Sequence, residues 1–197
     1  MRRMIVAALV SSALLVPGLS QAATWKSDSA HASVQFAVRH LMVATVRGTF
    51  DKFDVTAIID EDNISRSSVD ATIEVASINT RNQKRDDHLR GPDFFDAAKH
   101  PTITFKSKAV EKIQDYSYKV TGELTLMGVT REVVLEVTGS PQAVTDLRGK
   151  PRLGGAATTT INRTDYGLSR NSVLESGGVA IGEEVEITID IQLVPTQ

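Results

Sequence analysis

The densest run of ionisable side chains in this 197-residue chain lies between Arg81 and Asp96: Arg81, Lys84, Arg85, Asp86, Asp87, His88, Arg90, Asp93 and Asp96. Three kinds of chemistry are open to such a set. Asp86, Asp87 and His88 are of the types that ligate metals or exchange protons. Neighbours on a helix, however, point about 100° apart, so these three cannot converge on one ion unaided. The other histidines, His31, His40 and His100, show no H-x-x-x-H or similar spacing, and no serine sits in G-x-S-x-G. The chain has no cysteine, which removes thiolate metal sites, a thiol nucleophile, disulfides and a lipidated cysteine. The residues therefore nominate no catalytic group, no metal and no cofactor. A second chemistry is recognition, in which Arg81, Arg85 or Arg90 meets a phosphate or quinone head group at a cavity mouth. The third is structural: these arginines pair with Asp86, Asp87, Asp93 and Asp96 and fix the segment to the rest of the fold. The structural reading is the simpler of the two.

The elements that must position these charges follow from their neighbours. Thr80 followed three residues later by Gln83 has the spacing of a capping box, and Gly91-Pro92 is a stop, which predicts a helix from about Arg81 to Arg90. Leu89 is its only strongly apolar residue, too little for the stripe of a core helix, so it belongs on a surface or over an opening. Pro92 can open a second helical turn carrying Phe94 and Phe95. Three of the six phenylalanines fall between Phe94 and Phe105, so the charged helix is tethered to an aromatic anchor.

Everything flanking this stretch alternates with period two, the mark of strands with one wet face. Val34, Phe36 and Val38 share a face. Val46, Gly48 and Phe50 continue it, and Phe53, Val55, Ala57 and Ile59 repeat it after a phase shift at Asp51-Lys52 that predicts a turn or bulge. Asp60-Glu61-Asp62-Asn63 lacks the glycine and closing glutamate of a calcium loop and reads as a solvated turn. Val69, Ala71, Ile73 and Val75 make the next strand. Ile103 and Phe105 open another, and the run from Tyr116 to Leu126 forms an antiparallel hairpin with Val133, Leu135 and Val137 across a tight turn at Met127 to Thr130. Ser140 to Arg152 is a loop or a long hairpin tip. Leu153 to Ile161 is a strand of small residues, and Arg163 to Gly182 is a long irregular connection. Val185, Ile187, Ile189, Ile191 and Leu193 close the chain.

About eight antiparallel strands, each with one apolar face, predict a mainly β fold: one sheet closed into a barrel, with a sandwich as the alternative. A barrel of this size either fills itself or holds one small ligand. Gly48, Ala57, Gly122, Gly155 and Ala157 at inward positions leave volume unfilled and favour a ligand cavity over a filled core. On strand phase, the wall is expected at Phe36, Val38, Phe50, Phe53, Val55, Ile73, Phe94, Phe95, Phe105, Leu124, Leu135, Ile187 and Ile189, as ligand-binding residues.

The first residues carry an address. Met1-Arg2-Arg3-Met4 is a positive n-region, Ile5 to Val16 is an apolar run, and Ser20-Gln21-Ala22 supplies small residues for a peptidase. This predicts a secretory signal peptide, residues 1–22, cleaved after Ala22, ahead of one domain, residues 23–197. The apolar run is too short to span a bilayer. Removing Arg2 and Arg3 with the leader leaves 20 basic against 24 acidic side chains, about −4, which argues against nucleic acid as a partner. One tryptophan and three tyrosines are too few for the aromatic girdles of an outer-membrane barrel. The chain is thus expected to be exported and not membrane-integral.

With these residues in hand, the chain resembles the YceI-like polyisoprenoid-binding periplasmic proteins. The resemblance rests on His31, Val34-Gln35-Phe36 and His40, on Gly48-Thr49-Phe50, and on Arg85-Asp86-Asp87-His88-Leu89-Arg90 with Asp93-Phe94-Phe95-Asp96. Pro101 to Phe105, Gly122 to Thr125, Gly128-Val129-Thr130 and Asn162 to Gly167 follow in order. Asn162 departs from the aspartate common there, which removes a local ion pair with Arg163. The resemblance implies a lipocalin-like extended antiparallel barrel whose elongated apolar cavity takes a polyisoprenoid or similar amphiphile, with no established catalytic reaction; the expected role is periplasmic transport, storage or sequestration of such a lipid or an isoprenoid quinone, with scavenging of other hydrophobic small molecules in stress protection as the alternative. An exposed mouth would also let a homodimer cover apolar surface.

Overall fold

The computed structural model describes residues 22–174 and 177–196. Residues 1–21, which carry nearly all of the expected leader, lie outside the described residues. Eleven strands and one α-helix make up the fold: β1 (Ala23–Ser27), β2 (Ser33–His40), β3 (Ala44–Phe50), β4 (Phe53–Ile59), β5 (Ser68–Glu74), β6 (Ile78–Asn79), α1 (Gln83–Arg90), β7 (Thr102–Gln114), β8 (Ser117–Leu126), β9 (Val129–Thr145), β10 (Pro151–Asn162) and β11 (Ile181–Pro195).

These eleven segments make eight courses. β1 and β2 run as one kinked course against β11, with Trp25 opposite Pro195, Ser27 opposite Leu193 and Ser33 opposite Asp190. β3 and β4 pair with β2 and β1 as a second course, and β6 and β5 lie against β3 and β4 as a third. β7 to β11 complete the ring, every neighbour antiparallel. Closure of β1 onto β11 removes the long sheet edges, which is how an all-antiparallel fold covers exposed ladder groups, and among the described residues the two-residue β6, paired only with β3, is left at the margin. The barrel expected from the sequence is the fold observed.

The kinks have local causes. The phase shift at Asp51-Lys52 is the break between β3 and β4; the Asp51 carboxylate there accepts from Thr49 Oγ1 at 2.7 Å and Asn79 Nδ2 at 2.9 Å. The connection from β8 to β9 has two residues, Met127 and Gly128, both at positive φ (51° and 76°). That geometry follows the right-handed twist of the flanking strands and strongly favours glycine at its second position. The segment from Ser140 to Arg152 is the long hairpin tip of the two expected forms, with β9 running to Thr145 and β10 starting at Pro151.

Some expectations give way. α1 starts at Gln83, and its N-cap is Asn82, whose side chain accepts from the Arg85 N–H. Thr80 is not the cap: Arg81 sits at φ 62°, outside helical geometry, and Thr80 is buried with its N–H and hydroxyl both on Asp86 Oδ1, at 2.9 and 2.5 Å. The residues after Gly91 form turns and not a second helix, with the Phe94 N–H on Gly91 O and the Phe95 N–H on Leu89 O. Val75 opens a 3-10 turn beyond the end of β5. The acidic turn is not fully solvated either. Asp60 is buried, accepts from the Asn63 N–H, and pairs with Arg66 Nη2 at 2.6 Å. A carboxylate is acceptable there because the backbone amide and the guanidinium neutralise it.

Candidate ligand cavity

The inward faces of the courses differ in how completely they are covered. On β4, β7 and β8 the inward residues Val55, Ala57, Phe105, Val120 and Leu124 are buried. On β9, β10 and β11 the equivalent residues Val133, Leu135, Val137, Ala157, Val185, Ile187 and Ile189 point the same way but remain only half-buried. In a filled barrel both sets would be sealed by each other. The accessible surface they keep belongs to an internal cavity of about 350 Å³.

Twelve of the thirteen wall residues expected from strand phase line this cavity: Phe36, Val38, Phe50, Val55, Ile73, Phe94, Phe95, Phe105, Leu124, Leu135, Ile187 and Ile189. Phe53 does not. It shares the phase of Val55 but, as the first residue of β4 after the break, packs half-buried against the main core cluster. Leu89 from α1 and Phe94 and Phe95 from the following turns close one side, and Phe95 meets Phe50 edge-on with ring centroids 6.1 Å apart. The charged helix therefore lies over the barrel and contributes its single strongly apolar side chain to the wall.

The origin of the empty volume differs from the sequence expectation. A Cβ on Gly48 would come within 2.4 Å of the Phe36 ring, and one on Gly122 within 2.4 Å of the Phe105 ring and 2.6 Å of Lys106 O. The missing side chains at these two glycines are filled by neighbouring aromatic rings and are not part of the cavity. At Gly155 a Cβ would be 2.6 Å from Thr138 O, so that glycine permits close backbone approach between β9 and β10. Ala157, between Val137 and Ile189 in the ladders, is the small residue that does leave space. Ala57 also borders the cavity, but as a buried member of a small cluster with Trp25, Leu153 and Leu193.

None of Arg81, Arg85 and Arg90 lies on the cavity wall. Arg85 donates through Nε to Thr80 Oγ1 at 2.7 Å and through Nη2 to Thr80 O at 2.8 Å. Arg90 donates to Ala76 O and Ile78 O at 2.8 and 2.7 Å and pairs with Asp87. These two arginines pin α1 to the chain segment leading out of β5, mostly through backbone carbonyls. Arg81 is exposed. Of the groups with chemical promise, Asp86 is spent on Thr80, Asp87 on Gln83 and Arg90, and His88 lies against Asp93 and the Phe94 ring.

The cation on the wall is Arg163, which sequence patterning did not single out as a wall residue. It is buried and makes no ion pair among the described residues; its guanidinium donates to the carbonyls of Gly182 (2.8 Å), Ile181 (3.1 Å) and Arg170 (3.2 Å), and to that of Leu168. Burial holds it below the usual arginine value, opposed by the charge of Glu183. One side chain thus ties both ends of the irregular 167–182 connection to the barrel. Asn162, in place of an aspartate, accepts from Thr164 N–H and Oγ1 and caps the short 3-10 turn Arg163–Tyr166. The burial and role of Arg163 depend on residues up to 19 positions away, so no local pattern could have revealed them.

What the arrangement can do is accept a long apolar group, since nearly everything facing the cavity is hydrocarbon. Residues 25–193 match the YceI-like domain. The chain belongs to that family. It is 40% identical over 159 residues to UPF0312 protein SA2479 of Staphylococcus aureus, covering 81% of this chain and 90% of that protein. The crystal structure of BcnA from Burkholderia cenocepacia superimposes with a TM-score of 0.74 at 25% identity, over 84% of this chain and 98% of BcnA. A polyisoprenoid binding domain from Saccharophagus degradans, implicated in plant cell wall breakdown, shares the fold at 16% identity and a TM-score of 0.64, over 89% and 100% of the two chains.

Proposed function

We propose that this YceI-like barrel holds a polyisoprenoid, an isoprenoid quinone or a similar long-chain amphiphile in its cavity, for carriage, storage or sequestration after export to the periplasm. The observation that carries the reading is the half-buried aliphatic wall of β9 to β11 facing an apolar volume of about 350 Å³. Each CH₂ group moved from water into such a space is worth about 0.8 kcal/mol, so ten such groups contribute roughly 8 kcal/mol before ordering costs. Affinity on that scale needs no polar anchor, and the wall offers little beyond Arg163, whose donors are committed to backbone. The twelve wall residues named above are the proposed contacts. The Saccharophagus domain, by its description, binds a polyisoprenoid, which is the ligand class proposed here.

No helix among the described residues is long and apolar enough to cross a membrane, and whether the strands could is a matter of the barrel's outer face. The outer face carries charge, as in Lys108 paired with Glu123 at 2.8 Å and with Glu132 at 3.5 Å, where a membrane barrel needs an apolar band. The positive, apolar and small-residue stretches of residues 1–22 support export with cleavage after Ala22.

Mass spectrometry of an organic extract of the purified mature protein, alongside native mass spectrometry of the intact complex, tests the proposal. A near-stoichiometric prenyl lipid or quinone is the expected result. A protein that is folded, of polypeptide mass alone, and still empty after challenge with such lipids would overturn it.

A further inference from the structure

The hairpin joining β9 to β10 is built in two halves with opposite character. Its root faces inward: Ser140, Pro141, Leu153 and Gly154 belong to the cavity wall. The register breaks just above, where two extra residues of β9 separate Val144 from Ser140 opposite Arg152 to Gly154. Beyond that break the tip stands clear of the sheet, and Val144 is 66% exposed and Leu147 fully exposed. The exposure is not slack in the chain. Asp146 accepts from the N–H groups of Arg148 and Lys150 at 2.8 and 2.9 Å, its own N–H donates to Lys150 O, and Arg152 Nε binds its carboxylate at 3.0 Å. Arg152 also reaches Asp28 at 3.4 Å, clamping the arm to the β1–β2 kink. The turn is therefore fixed with a leucine at its apex and nothing for that leucine to pack on. A single exposed leucine is ordinary on a surface; what sets this one apart is that a fixed turn holds it out, with Val144 exposed below it and cations beside it.

The charge around the tip selects the partner. From Ser140 to Arg152 the only acid is Asp146, already bound to Arg152 and two backbone amides. Arg148 and Lys150 make no ion pair among the described residues and follow Leu147 by one and three positions in sequence. An apolar apex with free cations beside it is complementary to an anionic lipid surface, where the leucine enters the headgroup boundary and the cations meet phosphate.

We infer that the β9–β10 tip docks on an anionic bilayer and presents the hairpin root, and with it the cavity, to the membrane for lipid transfer. The transfer step rests on the proposed cavity function; the docking does not. The test uses the mature full chain with phosphatidylcholine vesicles containing or lacking about 30% phosphatidylglycerol, read by co-flotation, with a fluorescent polyene fatty acid as cargo. The wild type is expected to float with the anionic vesicles, less at high salt. Leu147→Asp is expected to weaken flotation about tenfold or more, and Arg148→Glu or Lys150→Glu at least about fivefold each, from the worth of one cation at such a surface. All three should slow cargo uptake from vesicles and leave uptake from free solution and the thermal midpoint unchanged. Absence of flotation, or flotation indifferent to these substitutions, overturns the docking. So does a wild-type dimer that Leu147→Asp dissociates, since the tip would then be an interface between copies. Flotation without uptake from any source leaves the docking standing and removes the cavity function beneath the transfer step.

Discussion

Ala157→Leu separates an empty cavity from a packed core by the sign of its effect. Ala157 lies between Val137 of β9 and Ile189 of β11, and all three face the cavity and are half-buried. The substitution adds three carbon atoms to the wall. If the space beside Ala157 is empty, they gain roughly 2.4 kcal/mol at about 0.8 kcal/mol per carbon, less about 0.5–1 kcal/mol of rotamer entropy. The net is a stabilisation of about 1.5 kcal/mol, or about 3–6 °C in Tm for a domain of this size. The same three carbons take the place of ligand, so affinity for a long-chain probe should fall about 50-fold. Urea unfolding with an unchanged slope, together with titration of a fluorescent polyene fatty acid, reads both quantities. A midpoint lowered by the equivalent of about 1–3 kcal/mol is the signature of overpacking, and it would refute the claim that β10 faces open volume.

Gly122→Ala is expected to do the reverse, losing about 1–3 kcal/mol of stability in the same urea assay, because its Cβ would meet the Phe105 ring and Lys106 O. Ile187→Trp or Leu124→Trp, both on the wall, should reduce probe binding by a larger factor than folding stability, whereas equal losses would indicate a solid core. Asp86→Ala leaves the buried Thr80 N–H and hydroxyl without their acceptor, at a cost of about 1–3 kcal/mol for each orphaned group, and hydrogen exchange at the Thr80 amide should accelerate. Four carboxylates are held below their usual values: Asp28 first by the His31 hydrogen bond, Asp60 first by the Asn63 amide, Asp115 first by the Lys112 hydrogen bond, and Asp146 first by the Lys150 amide. Groups lowered in the folded state add stability that is complete above the ordinary carboxylate range and is lost as pH falls through their folded values. The urea midpoint should therefore drop from pH 5 downward, less steeply in Asp60→Asn than in the wild type.

The two-residue period of Val34 to Val38, Val120 to Leu126 and Val185 to Leu193 was enough to count the courses and to say which faces look inward, because in a closed barrel one strand face has a single destination. Twelve of the thirteen residues chosen on phase border the cavity, while Phe53, at the phase-shifted start of β4, packs against the core cluster instead. The helix was legible, but its cap was not. Thr80 and Asn82 are both good capping types, and only the burial of Asp86 beneath Thr80 decides between them. The same limit applies to the glycines. A missing side chain in the sequence says nothing of what occupies its place, and the rings of Phe36 and Phe105, one strand over, fill two of those places while Ala157 stays open. Arg163 carries this furthest: whether a lone arginine points to solvent or ties a distant connection to the cavity wall is settled by which carbonyls the closed sheet brings within reach. Patterning along a strand is local and survives in the sequence; volume and the partners of buried charge are properties of packed neighbours, and only the tertiary structure decides them.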